Sequence, residues 1–192
     1  MMLRSFIAIE LPAEIQQAIY RSTASLQKAL SRPLVRWVAP QNIHLTLKFL
    51  GDVSPANLER LADVLRLEVV THAAFTMSVG QLGAFPTSRR PRVFWIGLDA
   101  PATLLAVQRG VEAVAARMGY PLEERPFSPH LTIGRLSQNI IAADLQKIRA
   151  ALEGVSVGTL GTVLVNAVQI FKSDLQPAGS IYTLLHTLPM KS

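Results

Sequence analysis

A chain of 192 residues, 49% of them hydrophobic, can bury a core of its own, and its 19 Lys and Arg against 13 Asp and Glu leave a net charge of +6 that favours an anionic partner such as a nucleotide, RNA or an acidic surface. The absence of cysteine excludes a disulfide, a thiolate nucleophile and a cysteine-bound metal. Residues 1–10 carry Arg4 and Glu10 where a secretory leader would be apolar, and no apolar run approaches the roughly 18 residues of a membrane span, so the expectation is a cytoplasmic protein without membrane association.

From the N-terminus, residues 4–11 read as a buried strand around Phe6, Ile7, Ala8 and Ile9. Pro12 opens a helix running to about Leu30, with Ile15, Ile19, Leu26 and Leu30 on one face. Residues 34–38 form a short strand, Pro40-Gln41-Asn42 a turn, and residues 44–50 a further strand closed by Gly51-Asp52. Ser54-Pro55 starts a second helix to about Val70, whose inner stripe is Leu58, Leu61, Leu65 and Val69. Strands over 75–82 and 93–98 flank a basic loop, Pro86-Thr87-Ser88-Arg89-Arg90-Pro91-Arg92. A third helix follows Pro101 and stops at Gly119, residues 121–129 are irregular, and a strand begins at His130. Residues 140–152 are helical, and strands over 161–171 and 180–188 close the chain. The order β-α-β-β-α-β-β-α-β-α-β-β implies an α+β fold with mainly antiparallel sheets, in which the pattern of strand, helix and strand pair occurs twice. No linker divides the chain, so residues 1–192 are expected to form a single domain of two intertwined lobes.

One phrase is written twice: His44-Leu45-Thr46-Leu47 and His130-Leu131-Thr132-Ile133. In a strand, residues i and i+2 share a face, so each copy presents an imidazole beside a hydroxyl while its aliphatic residues face a core. An imidazole with an ordinary pKa near 6.5 can be neutral and accept a proton while its partner is charged and donates one. Two such groups suffice for phosphodiester cleavage without metal, one activating water and the other protonating the leaving ribose oxygen, with threonine hydroxyls holding the phosphate oxygens. A lone histidine on a strand is more often structural, and His72 and His186 are read that way; the two matched copies are better explained by one shared site. A zinc site on His44 and His130 is the weaker alternative, because acidic residues are few and no His-x-x-x-His or Glu-x-x-His spacing occurs.

The wider phrases Arg36-Trp37-Val38 through Pro40-x-Asn42-x-His44-Leu45-Thr46-Leu47-x-Phe49-Leu50-Gly51, and Phe127-x-Pro129-His130-Leu131-Thr132-Ile133-Gly134-Arg135, closely resemble the two-histidine (2H) phosphoesterases. Within that superfamily the chain is most similar to the RNA 2',3'-cyclic phosphodiesterases, once called 2'-5' RNA ligases. The resemblance implies a bilobal, pseudo-symmetric fold with a central cleft, and hydrolysis of RNA 2',3'-cyclic phosphate ends to 2'-phosphomonoesters, with reversible 2'-5' ligation. It implies no metal and no cofactor, RNA as partner, and a monomer. His44 would be the proton donor and His130 the proton acceptor, with Thr46, Thr132 and Arg135 on the phosphate. Phe49 is a candidate for base stacking, though a core position is favoured for it. Both Phe49 and Arg135 lie five residues after their histidine, so strict alternation turns them away from the cleft; Arg135 reaches phosphate only if the strand ends or bulges near Gly134. Arg89, Arg90 and Arg92 are candidate RNA contacts, balanced against an ordinary solvated loop. Alternatives are a non-catalytic module that binds RNA ends, or an esterase for other cyclic nucleotides or 2'-5' oligonucleotides.

Overall fold

The computed structural model describes residues 1–176 and 179–191. Among these, nine strands and five helices follow one another as β1 (Leu3–Glu10), α1 (Ala13–Ser22), α2 (Ala24–Ala29), β2 (Val35–Trp37), β3 (His44–Val53), α3 (Pro55–Val69), β4 (Phe75–Phe85), β5 (Val93–Asp99), α4 (Ala102–Arg117), β6 (His130–Leu136), α5 (Ala142–Glu153), β7 (Thr159–Val165), β8 (Ala167–Gln176) and β9 (Gly179–Pro189). A 3-10 turn, Pro40–Asn42, precedes β3.

The strands form one antiparallel sheet in the order β7-β4-β5-β6-β3-β1-β8-β9, with β2 beside β6. Its two halves are mirrored in role: β6-β5-β4-β7 on one side and β3-β1-β8-β9 on the other, each with a His-x-Thr strand innermost. Neither half is continuous in sequence. β4 leaves the first repeat to pair with β5, and β8 returns from the second to pair with β1, so each half of the sheet draws strands from both parts of the chain. β3 meets β6 at the single pair Leu45↔Leu131, after which β6 takes Val38 and then β2 along that edge. The strands therefore diverge from a shared point, and the gap between them is the cleft.

The helices cover the apolar face of the sheet. In α3, Ser54 caps the first turn by accepting from the Asn57 amide at 3.3 Å, Pro55 supplies a helical φ at the first position, and Leu58, Leu61, Leu65 and Val69 are buried as their spacing predicts. Ile7 and Ile9 of β1 point into this core, whereas Phe6 and Ala8 face the other way and make a small cluster with Phe171. β1 is thus buried on both faces, and its second face becomes the floor beneath His44.

Four boundaries differ from expectation by three residues or more, the simplest being β4, which runs past Leu82 to Phe85. The first helix is broken at Thr23, whose hydroxyl donates to the Ile19 carbonyl at 2.8 Å, so α1 and α2 are separate. The apolar run 161–171 is not one strand: it breaks at Asn166, and β7 and β8 pair on opposite halves of the sheet. β3 runs on past Leu50 to Val53, with Gly51 at φ +70° inside it rather than after it.

Candidate active site

Leu45 and Leu131 are register partners with their side chains in the core, so His44, Thr46, His130 and Thr132 all emerge on the opposite face. Continuing the antiparallel register one step either way sets His44 across from Thr132 and Thr46 across from His130. The four line one cleft of about 830 Å³. Each imidazole thus sits beside its own hydroxyl and across from the other.

Downstream of the motif both strands depart from strict alternation, and in the same way. Along β1, Ile7 pairs with Lys48 and Ala8 with Thr46, so Leu47 is an extra residue; along β5, Phe94 pairs with Gly134 and Trp95 with Thr132, so Ile133 is extra. One extra residue reverses every later side chain. Arg135 accordingly lines the cleft, and so does Phe49, which is 59% exposed. The favoured core position for Phe49 is overturned by this bulge. Gly134 contributes room rather than backbone freedom: a Cβ there would come within 2.9 Å of the ring of Trp37, its register partner on β2.

The two histidines are held alike. Nδ1 of His44 donates to the Asn42 carbonyl at 2.8 Å and Nδ1 of His130 to the Ser128 carbonyl at 2.7 Å. A carbonyl only accepts, so the neutral rings carry their proton on Nδ1 and leave Nε2 as the exchanging nitrogen. Their surroundings are unequal. His44 stacks on Phe6 at 4.7 Å between ring centres and meets the edge of Tyr182 at 5.2 Å. Burial pushes its pKa below the ordinary imidazole value, partly countered by the Asn42 carbonyl. His130 has one aromatic neighbour, Phe85, at 4.9 Å and edge-on. Among the described residues neither Thr46 nor Thr132 has a side-chain hydrogen bond, and no three His, Asp or Glu side chains converge as a metal site would require.

The basic loop divides. Arg92 lines the cleft; Arg89 and Arg90 do not, and the Arg89 carbonyl accepts from Nε of Arg149 on α5 at 2.8 Å. His72 and His186 lie outside the cleft and face Glu68 at 3.1 Å and Glu59 at 3.4 Å. Sequence reasoning missed Lys48, which is buried at 3% exposure and donates to Glu112 at 2.6 Å and to the Pro121 carbonyl. A lysine inside an apolar strand, with Glu112 next to the buried Val111 of a helix, was the available signal.

Paired imidazoles with free Nε2 atoms, flanked by hydroxyls and an arginine in a two-lobed sheet, are the groups that acid–base phosphoester chemistry uses. The LigT like Phosphoesterase family model matches the chain twice, over residues 9–95 and 96–182, each match holding one His-x-Thr strand. The RNA 2',3'-cyclic phosphodiesterase of Methanothermobacter thermautotrophicus is 34% identical over 183 residues, 95% of this chain and 96% of its own. That of Thermotoga maritima is 30% identical over 185 residues, 96% of this chain and 94% of its own. The crystal structure of Escherichia coli LigT complexed with 3'-AMP superposes with a TM-score of 0.77 at 28% identity, covering 100% of both chains. The chain belongs to the LigT-like phosphoesterase family. No helix among the described residues is long and apolar enough to cross a membrane.

Proposed function

We propose that this chain hydrolyses RNA 2',3'-cyclic phosphate ends to 2'-phosphomonoesters by metal-independent acid–base catalysis between His44 and His130. The observation that carries it is the matched pair of imidazoles, each fixed through Nδ1 by a backbone carbonyl and presenting Nε2 to one cleft. Water attacks phosphorus as its proton passes to Nε2 of His130; the bond from phosphorus to the ribose O3' breaks as Nε2 of His44 gives its proton to that oxygen. Thr46, Thr132 and Arg135 take the non-bridging oxygens, where charge grows. A ribose 5'-hydroxyl in place of water would give a 2'-5' phosphodiester, so ligation needs no further group. Both histidines come from one chain, so a monomer suffices, and the cytoplasm is the proposed compartment. The exposed ring of Phe49 offers a stacking face to a base, and Arg92 a contact to the backbone.

Adenosine 2',3'-cyclic phosphate should be converted to the 2'-phosphate at an undiminished rate in EDTA. Binding of 2',3'-cyclic ends without any product would leave only a binding module, and a preference for 3',5'-cyclic nucleotides or 2'-5' oligonucleotides would reassign the substrate. Phe49→Leu should raise KM in the same assay; an unchanged KM would remove its stacking role.

Turnover should be bell-shaped in pH, since one ring must be charged and the other neutral. The burial of His44 lowers its affinity for a proton, so its limb in kcat/KM should lie below pH 6.5, its ordinary value. Phe6→Ala admits water to the ring and should move that limb upward, leaving the other in place. NMR titration of the His44 imidazole is the direct check, and a midpoint at or above the ordinary value would refute the assignment.

A further inference from the structure

We infer that a second groove, opening from the cleft beside Arg36, binds the phosphodiester that joins the terminal nucleotide to its upstream neighbour, which makes the preferred substrate an oligonucleotide end rather than a free cyclic nucleotide. The inference rests on the phosphodiesterase reading above. The groove has a volume of about 320 Å³ and shares Val38, Asn42, Arg135 and Tyr182 with the catalytic cleft, so the two spaces adjoin along these residues. That volume falls at the lower end of small-ligand sites, roughly 300–1,000 Å³, and suits one nucleotide unit.

Its charge is the second observation. Arg36 on β2 and Arg135 on β6 are register partners, so their side chains leave the sheet on one face, and both line the groove. Like charges directly across a strand pair repel. Among the described residues neither arginine has a carboxylate within ion-pair distance, and no acidic residue lines the groove. Lys48, which lines the cleft but not the groove, is already neutralised by Glu112 and approached by Glu123. Arg92 and Arg125 also line the cleft; on the groove, Arg36 and Arg135 set two cations side by side as register partners. Arg135 stands at the junction, within reach of the reacting phosphate, which leaves Arg36 to meet the next phosphate along the chain. The pseudo-symmetry is broken at the matching position, where one strand offers Arg135 and the other Phe49. This gives the cleft an apolar end for a base and a cationic end for the backbone.

The test compares adenosine 2',3'-cyclic phosphate with the dinucleotide ApA ending in the same cyclic phosphate, using wild type, Arg36→Gln and Arg36→Lys. Arg36 is exposed, so folding should be unaffected. Wild type should favour the dinucleotide in kcat/KM by about tenfold, the worth of one charge-assisted contact. Arg36→Gln should bring the ratio close to one, and Arg36→Lys should keep part of it. The log–log salt dependence for the dinucleotide should be steeper than for the mononucleotide by about 0.7 in wild type and equal to it in Arg36→Gln. A ratio unchanged by Arg36→Gln, or equal use of both substrates by wild type, overturns the inference while leaving the phosphodiesterase reading intact. Should neither substrate turn over, that reading fails, and calorimetric titration with the 2'-phosphorylated dinucleotide and with 2'-AMP decides the groove alone: an advantage lost in Arg36→Gln supports it, and equal affinities refute it.

Discussion

Replacing His44 or His130 by alanine should each lower kcat by about 10²–10⁴, the usual worth of one general acid or base, with KM changing far less. The double variant should be little worse than either single one, because proton donor and acceptor serve one concerted step and their effects do not add. Asparagine is the sharper replacement. Its amide can take over the Nδ1 donation to the Asn42 or Ser128 carbonyl, each below 3 Å, and so keep the local backbone, while offering nothing at Nε2. If His44→Asn and His130→Asn both turn over at the wild-type rate, the paired mechanism is wrong. The roles can then be separated with a cyclic substrate that carries sulfur in place of O3'. A thiolate with a pKa of about 8.5 departs without a proton, so the variant lacking the acid should recover most of its loss and the variant lacking the base should not. Recovery in His130→Asn rather than His44→Asn would exchange the two assignments.

How far the site was legible depends on where its geometry is written. His44, Thr46, His130 and Thr132 share a face because a strand has period two, which is a property of each segment by itself. Phe49 and Arg135 are placed by an extra residue relative to β1 and β5, and a bulge belongs to the pairing of two strands rather than to either one. The matching position of the two bulges was hinted at only by the repeat. Leu47 and Lys48, like Ile133 and Gly134, are consecutive buried residues, so the alternation fails at the same step in both copies. The break at Asn166 was hidden for another reason: an apolar strand leaving one half of the sheet and one entering the other look like a single run when nothing larger than an asparagine separates them. Arg36 stands in the phrase that carries the resemblance, but its place beside Arg135 is set by the pairing of β2 with a distant strand and could not be read from the segment alone.

Lys48 is a buried, paired charge that the sequence concealed. The first bulge turns it inward, and its ammonium then donates to Glu112 on α4 at 2.6 Å, to the Pro121 carbonyl and, at 3.5 Å, to Glu123. Glu112 Oε1 also accepts the Glu123 amide at 3.0 Å, while its Oε2 is buried with no partner among the described residues. Lys48→Met should therefore strand a buried carboxylate and cost about 3–5 kcal/mol, a fall in Tm of roughly 10 °C for a chain of this size. Adding Glu112→Leu removes the stranded charge and should restore most of the lost Tm. Catalysis should not return with it. The same ammonium anchors the segment from Pro121 to Ser128, whose last carbonyl fixes the ring of His130, and neither methionine nor leucine can hold Pro121 or Glu123 in place. A double variant that melts near wild type but turns over several-fold more slowly would mark Lys48 as a positioning residue; full recovery of both Tm and kcat would reduce it to a structural ion pair.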